Sequence, residues 1–332
     1  MNPKKFSLFI VICLLVLLGA AWLVWGSATM KKTGEVAVEA GEGAVIVWRK
    51  MVDEGFTART LPWRYRAWRL GAAESLKAGT YHIELGETIT QVIERMTKGD
   101  VIPDELAITF PEGFTLEQMA ARTGAKGLGT PEEFISSATP ANFQDRYPFL
   151  KTVPPSRDLE GYLFPDTYKV FDDDSPRDVI SRQLANFDQK LTEELRQEAA
   201  ADGRSLDDIV IMASIIEREV LTDADMALVS GVLWKRVDAG AGMDADATVR
   251  YALKKWDEPL TVADLQVNSP YNTRRFRGLP PGPISNPGLR ALIAAVRPEE
   301  SEYYYYLSAP DGKTYFAKTN DEHNQNKAKY LN

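Results

Sequence analysis

Leu206-Asp-Asp-Ile-Val-Ile-Met-Ala-Ser-Ile-Ile-Glu-Arg-Glu-Val-Leu221 is the stretch on which the reading of the whole chain turns. From Ile209 to Ile216 it offers apolar residues and one serine. A helix that is apolar nearly all round has to be buried. Ser205 and Asp208 supply its start, so a helix over about 206–221 is predicted at the centre of a core. Glu217 follows directly at the end of the apolar run. A carboxyl group half inside such surroundings loses hydration, and its charged form suffers most, so its pKa should rise. That makes a proton donor near neutral pH, as needed to protonate a glycosidic oxygen. The competing reading is a structural acid paired with Arg218 or capping a neighbouring helix. Glu219 lies two residues on, about 200° round the helix, so the two acids are expected on different faces. One of them is then an ordinary surface or salt-bridging residue.

Downstream, helices are predicted over about 224–238 and 287–296, with strands at Tyr303–Ala309 and Thr314–Ala317. Asp311-Gly312 falls between those strands, as in a hairpin. The Tyr303–Tyr306 run reads as a packed strand, because aromatic residues favour strands. Upstream, Ser175-Pro176 launches a long helix toward residue 200. Residues 124–158, rich in Gly, Pro, Ser and Asn, read as the loosest part of the body, with a short helix at 131–137.

A phrase of the form G-x-T-[I/L]-x-Q occurs twice, at Gly86–Gln91 and Gly113–Gln118. In the first, Thr88 and Gln91 make a capping box. Ile89, Val92, Ile93 and Met96 then give the apolar stripe of a helix ending at Gly99-Asp100. Strand-like segments, Leu76–Leu85 and Leu106–Phe110, precede the two copies. Earlier still, helices are predicted at about 43–54 and 60–71. The second carries Arg59, Arg64, Arg66 and Arg69 around Trp63 and Trp68, which suits an amphipathic helix with a solvated charged face. Residues 27–42 read as a linker merging into a strand at Glu35–Val38.

The fold class is mixed α+β. The chain has 332 residues, with 39 Lys+Arg against 47 Asp+Glu, a net charge of −8. That balance argues against a nucleic-acid binder, whose affinity for phosphate needs many cations. One cysteine excludes an internal disulfide framework, and two histidines, His82 and His323, argue against a structural zinc site. No cofactor and no metal are expected.

Phe6 to Trp25 form an almost unbroken apolar run, long enough to span the roughly 30 Å hydrocarbon layer. Lys4 and Lys5 precede it, and Trp22 and Trp25 stand at interfacial positions. The expectation is a single-pass anchor in the inner membrane, residues 6–26, with a cytoplasmic tail of residues 1–5 and the body outside the cytoplasm. A cleaved signal peptide is the rival, since Ser27-Ala28-Thr29 offers a cleavage site.

Chemistry is sought in carboxylates and in two loop clusters, because no G-x-S-x-G elbow, phosphate loop or dinucleotide pattern occurs. Asp244-Ala-Asp246-Ala-Thr248 follows the Gly-rich 239–243 segment. Ser269-Pro-Tyr271-Asn272-Thr273 and the Gly/Pro-rich Gly278–Gly288 suit a rigid binding rim or a plain connector. Tyr162 and Phe164, in one phrase with Asp166, are placed at the cleft ahead of Trp234.

These phrases together resemble the endolytic murein transglycosylase, or YceG-like, family. The matching ones are Leu76–Tyr81, Glu160-Gly-Tyr-Leu-Phe-Pro-Asp-Thr167, Ala213-Ser-Ile-Ile-Glu217-Arg-Glu219, Tyr271-Asn272-Thr273, Gly278–Gly282 and His323-Asn324. The resemblance implies a small LysM-like α/β module at residues 43–103 and a catalytic domain at 104–332. It implies cleavage of peptidoglycan glycan strands between N-acetylmuramic acid and N-acetylglucosamine, with peptidoglycan synthases as possible neighbours. Glu217 matches the family's catalytic acid. Ser214, Asp246, Thr248, Tyr271, Asn272 and Thr273 are candidate substrate contacts, with Tyr162 and Phe164 beside them. The chain departs from the family pattern around Asp246, where Asp244 replaces the usual Gln and Ala247 the usual Pro. Two rival functions stay open: a hydrolytic muramidase using Asp244 or Asp246 as second carboxylate, and a non-catalytic glycan-binding scaffold.

Overall fold

The computed structural model describes residues 29–57, 61–72, 75–101 and 105–331, together with Ile12, Leu14 and Val16. The run Phe6–Trp25 read as an anchor lies, apart from those last three residues, outside the described residues. Among the described residues no helix is long and apolar enough to cross a membrane. The chain divides into two compact units, Met1–Asp104 and Glu105–Asn332.

The first unit runs β1 (Gly34–Val38), α1 (Ala44–Asp53), α2 (Leu61–Arg69), β2 (Gly79–Ile83) and α3 (Ile89–Lys98). β1 pairs antiparallel with β2, setting Val36 opposite Tyr81. The sheet of this unit thus takes in the strand read as an extension of the 27–42 linker. Alternation puts Val36, Val38, Tyr81 and Ile83 into the core with the Ile89–Met96 stripe of α3. Thr88 and Gln91 form the capping box expected from their spacing. Trp48 and Trp63 join α1 to α2, their rings stacked 4.7 Å apart, and Trp63 Nε1 donates to the Ala44 carbonyl at 2.8 Å. Trp63 and Ala67 are buried while Trp68 and Arg69 are exposed, so α2 is amphipathic.

The second unit begins with β3 (Glu105–Thr109), α4 (Leu116–Ala125) and α5 (Pro131–Ser137). Two 3₁₀ turns, Pro140–Asn142 and Pro148–Thr152, lead to β4 (Thr167–Phe171). Four helices follow: α6 (Pro176–Lys190), α7 (Glu193–Ala201), α8 (Leu206–Glu219) and α9 (Asp223–Asp238). Then come α10 (Asp246–Leu253), α11 (Leu289–Val296), β5 (Tyr305–Ser308), β6 (Thr314–Ala317) and α12 (Asn320–Tyr330). β3 pairs with β4 and β5 with β6, each antiparallel and two-stranded. The class is mixed α+β, as expected.

α8 is the axis of this unit. Every residue from Ile209 to Ile216 is buried, and the helix packs against α7, α9, α10 and α11. Ser205 and Asp208 close its first turn as a capping box.

Two expectations are corrected. Residues 124–158 are not loose: Phe134, Phe143, Tyr147, Leu150 and Val153 are all in the core. The helix from Ser175 does not run to residue 200. It stops at Leu191 and restarts with Thr192 capping Leu195, so α6 and α7 are separate. The end of the Glu160–Thr167 phrase enters a strand, β4, whose partner lies far upstream: Thr109 faces Thr167.

The turn at Gly161 is where that phrase meets α8. Its φ is +89°, and a Cβ there would stand 2.5 Å from Pro283 Cγ and 2.7 Å from Val210 Cγ1. Gly127 has a similar φ of +79° with open space around it. Gly161→Ala should therefore cost about 2–4 kcal/mol and Gly127→Ala about 1, read from denaturant midpoints. Equal costs would mean that the backbone, not the contact, sets the requirement.

Candidate active site

Glu217, Arg218 and Glu219 form the last turn of α8, beyond which Val220 is extended and ends the helix. The Glu217 side chain is half-buried, at the C-terminal end of one helix and the N-terminal end of another. Gly288, the residue that opens α11, donates its N–H to Glu217 Oε2 at 2.9 Å. Burial drives the Glu217 pKa up from 4.5 to about 7. The Gly288 N–H opposes that shift, nearby Glu112 adds to it, and Arg290 and Arg218 oppose it. The negative end of the α8 dipole acts in the raising direction. Arg218 turns away, donating to the Gly113 carbonyl at 3.1 Å, with its guanidinium 4.7 Å from the Trp256 ring centre.

This carboxyl lines an open cavity of about 580 Å³ walled by Glu112, Gly113, Arg218, Glu219, Asp246, Arg250, Trp256 and Ser308. A larger cavity, about 1000 Å³ between α7, α9 and residues 296–301, contains none of these acids.

Glu219 lines the same cavity as Glu217, which corrects the expectation of separate faces. At the last residue of a helix, the 100° per residue rule no longer keeps side chains on different surfaces, because the cavity lies across the helix end. Glu219 accepts from Ala247 N at 3.4 Å and from the Tyr306 hydroxyl. Burial lifts its pKa to about 6 against those two hydrogen bonds.

The rim is held by Asn286, which is fully buried. Its Oδ1 accepts from Gly161 N at 2.8 Å and Leu163 N at 3.0 Å. Its Nδ2 donates to the Phe114 carbonyl at 3.0 Å and to Glu160 Oε1 at 2.8 Å. Glu160, buried and with its pKa pushed well up by burial, accepts from Leu116 N at the start of α4. Three segments distant in sequence are thus tied together two residues before Gly288. The Gly278–Gly288 phrase signalled a rim, but nothing in it told which N–H would face the acid.

Of the candidate contacts, Asp246 lines the cavity, where Arg274 Nε holds its carboxylate at 2.8 Å. The others are not part of that lining. Ser214 Oγ donates to the Ile211 carbonyl and accepts from Ile284 N at 3.0 Å. Thr248 and Thr273 join hydroxyls at 2.9 Å inside the core, and Thr273 Oγ1 also accepts from Ala245 N. Asn272 Nδ2 is spent on the carbonyls of Leu265 and Val267. Tyr271 packs on Tyr251, ring centres 4.9 Å apart. Tyr162 is fully buried between Phe149 and Phe187, its hydroxyl donating to Asp207 Oδ1 at 2.8 Å. Phe164 is likewise buried in the core. Short polar residues beside a cleft satisfy its buried backbone first. Trp234 is also internal, with Nε1 on the Ala295 carbonyl and Arg204 stacked 3.6 Å from its ring centre. Asp244, at φ +57°, pairs with Arg236.

Sequence reasoning missed the wall formed by Glu112, Trp256 and Ser308, and it missed Tyr306 as the partner of Glu219. The model of the YceG-like family matches residues 36–329. The chain belongs to the YceG-like family. An endolytic murein transglycosylase of Bacillus subtilis (strain 168) is 32% identical over 268 residues, covering 78% of this chain and 74% of that protein. One of Streptococcus pneumoniae (strain D39) is 26% identical over 330 residues, covering 92% of this chain and 60% of that protein. The chain therefore spans only 60% of the pneumococcal relative's length. The crystal structure of a yceG-like protein from Listeria monocytogenes superposes with a TM-score of 0.61 at 29% identity, covering 89% of this chain and 98% of that one. The Listeria monocytogenes protein thus shares the fold over 89% of this chain.

Proposed function

We propose that this chain is an endolytic lytic transglycosylase of peptidoglycan, cutting the N-acetylmuramic acid–N-acetylglucosamine bond without water. The observation that carries the reading is Glu217, a carboxyl whose pKa stands at about 7 on the wall of an open cavity. Family membership and relatives named endolytic murein transglycosylase support it.

Protonated Glu217 gives its proton to the glycosidic oxygen as the C1–O bond breaks, and N-acetylglucosamine leaves with a free hydroxyl. The Gly288 N–H steadies the carboxylate so formed. That carboxylate then takes the proton of the C6 hydroxyl of the same muramic acid, whose oxygen bonds to C1. Attack within one residue gains from proximity, so a single carboxyl serves both steps and regains its proton. The product carries a 1,6-anhydro end, and no cofactor enters the balance.

A second reading is favoured by Glu219 and Asp246 on the same cavity. A hydrolytic muramidase uses two carboxylates, one as acid and one as base or nucleophile. Mass spectrometry of strand ends decides: the transglycosylase gives anhydro ends, lighter by one water, and the muramidase gives reducing ends that take up oxygen from labelled water. A protein that retains strands and never shortens them would be a scaffold and neither enzyme.

The setting is part of the proposal. Phe6–Trp25 anchors the chain in the inner membrane with the body outside the cytoplasm. Residues 43–103, LysM-like by resemblance, hold glycan there, and the strands cut are nascent ones close to peptidoglycan synthases.

A further inference from the structure

A second, smaller cavity of about 360 Å³ adjoins the cleft and shares Glu219, Asp246 and Ser308 with it. Its remaining wall comes from β5, α12 and the side chains of Arg236, Asp244 and Arg274. We propose that this chamber is the subsite for the peptide carried by muramic acid, taking a short peptide that bears carboxylates. The proposal rests on the peptidoglycan-cleaving function proposed above.

Substrate chemistry requires a space of this kind. Muramic acid carries its peptide through a lactyl group on the same ring whose C1 bond is cut. The chamber adjoins the Glu217 cavity through Glu219, Asp246 and Ser308, so a group carried on the ring at Glu217 has a continuous way into it.

The lining suits a peptide better than a second sugar. Arg236 and Arg274 alternate with Asp244 and Asp246, to which they are paired. Lys327, exposed on α12, has no carboxylate partner among the described residues. His323 lines the chamber too, and its Nδ1 is buried without a hydrogen-bond partner. A carboxylate entering here meets the Lys327 ammonium, which can give a charge-assisted hydrogen bond, beside the His323 ring. The Tyr305 ring is already taken, with His323 stacked at 5.3 Å and the Arg236 guanidinium 5.6 Å from its centre, so it offers no sugar platform. α12 itself buries no residue, yet it packs on β5 and β6 and turns Asn320, His323 and Lys327 to the chamber.

The test uses the full chain carrying Glu217→Gln, so that ligand is bound without being cut. A disaccharide-peptide from peptidoglycan and the same disaccharide without its peptide are titrated by calorimetry. The peptide-bearing ligand should bind about tenfold tighter, one charge-assisted contact's worth. Adding Lys327→Glu, or Lys327→Gln at the same exposed position, should bring the ratio of the two affinities close to one. Amidating the peptide carboxylates should do the same. Equal affinities at the outset, or a ratio indifferent to both Lys327 substitutions, overturns the proposal. Failure of the broader reading appears elsewhere, as an unsubstituted chain that leaves peptide-bearing and bare strands alike uncut, and the affinity ratio then still decides the chamber's role.

Discussion

Glu217→Gln should lower strand cleavage by about 10³-fold or more, the scale of a lost general acid–base, while strands remain bound. Glutamine fills the same space and still accepts from the Gly288 N–H, but it has no proton to give. Initial rates on glycan strands, with binding measured alongside, check this; a Gln variant within tenfold of the unsubstituted chain would remove Glu217 from the mechanism. The pH dependence follows from the same group. Cleavage starts from the protonated acid, so the rate should fall as pH rises through about 7. Glu219, lifted by burial to about 6, lines the same cavity and adds its own titration to the profile. A rate flat from pH 6 to 8 would contradict the assignment.

Stability carries the matching signature. The folded pKa lies above the unfolded value of 4.5, so the folded protein binds this proton more tightly. Below pH 4.5 both states are protonated and the group costs nothing. Between 4.5 and about 7 ionisation progressively destabilises the fold, and above 7 the penalty is complete. Such a shift corresponds to about 3 kcal/mol for a group shut away from water. Solvent screening of this partly exposed side chain reduces it to about 1–2 kcal/mol. Glu217→Gln should therefore melt higher than the unsubstituted chain at pH 8 and nearly level with it at pH 4.

Asn286→Ala should be the most damaging single change outside the apolar core. It strands the N–H groups of Gly161 and Leu163, the Phe114 carbonyl and the Glu160 carboxyl in a buried position. At about 1–3 kcal/mol for each unsatisfied group, partly relieved by relaxation, a loss of about 4 kcal/mol is expected. That is a large part of the 5–15 kcal/mol, roughly, that holds a domain together. Asn286→Asp keeps the acceptor but cannot donate to Glu160 or Phe114, so it should fail as well. Denaturant unfolding of both variants checks the claim, and an alanine variant as stable as the parent would show that the knot carries no weight.

What could be read from the sequence was local. The Thr88–Gln91 and Ser205–Asp208 boxes depend on residues three apart and the Ser175-Pro176 start on neighbours, and each holds in the structure. So does burial of Ile209–Ile216, which follows from composition alone. Pairing of Thr109 with Thr167 could not be foreseen, because register between segments so far apart is fixed by the finished core. The loop-like 124–158 segment misled for a related reason: its Gly and Pro set turns, while Phe143, Tyr147 and Leu150 between them decide burial. At the site, position told that Glu217 would close a buried apolar run and little about its neighbours. Ser214, Thr248, Asn272 and Thr273 have the chemistry of sugar contacts and equally the chemistry of internal ties, and the fold spends them on the latter. Glu219 was set aside by a helical-wheel argument that fails at a helix end.

An enzyme whose reacting group rides on a surface loop can go silent while its body is still intact. Here the proposed proton donor stands in the last turn of a helix buried along Ile209–Ile216. Heat inactivation and loss of the fold should consequently be one event, with no warm, folded and idle form between them.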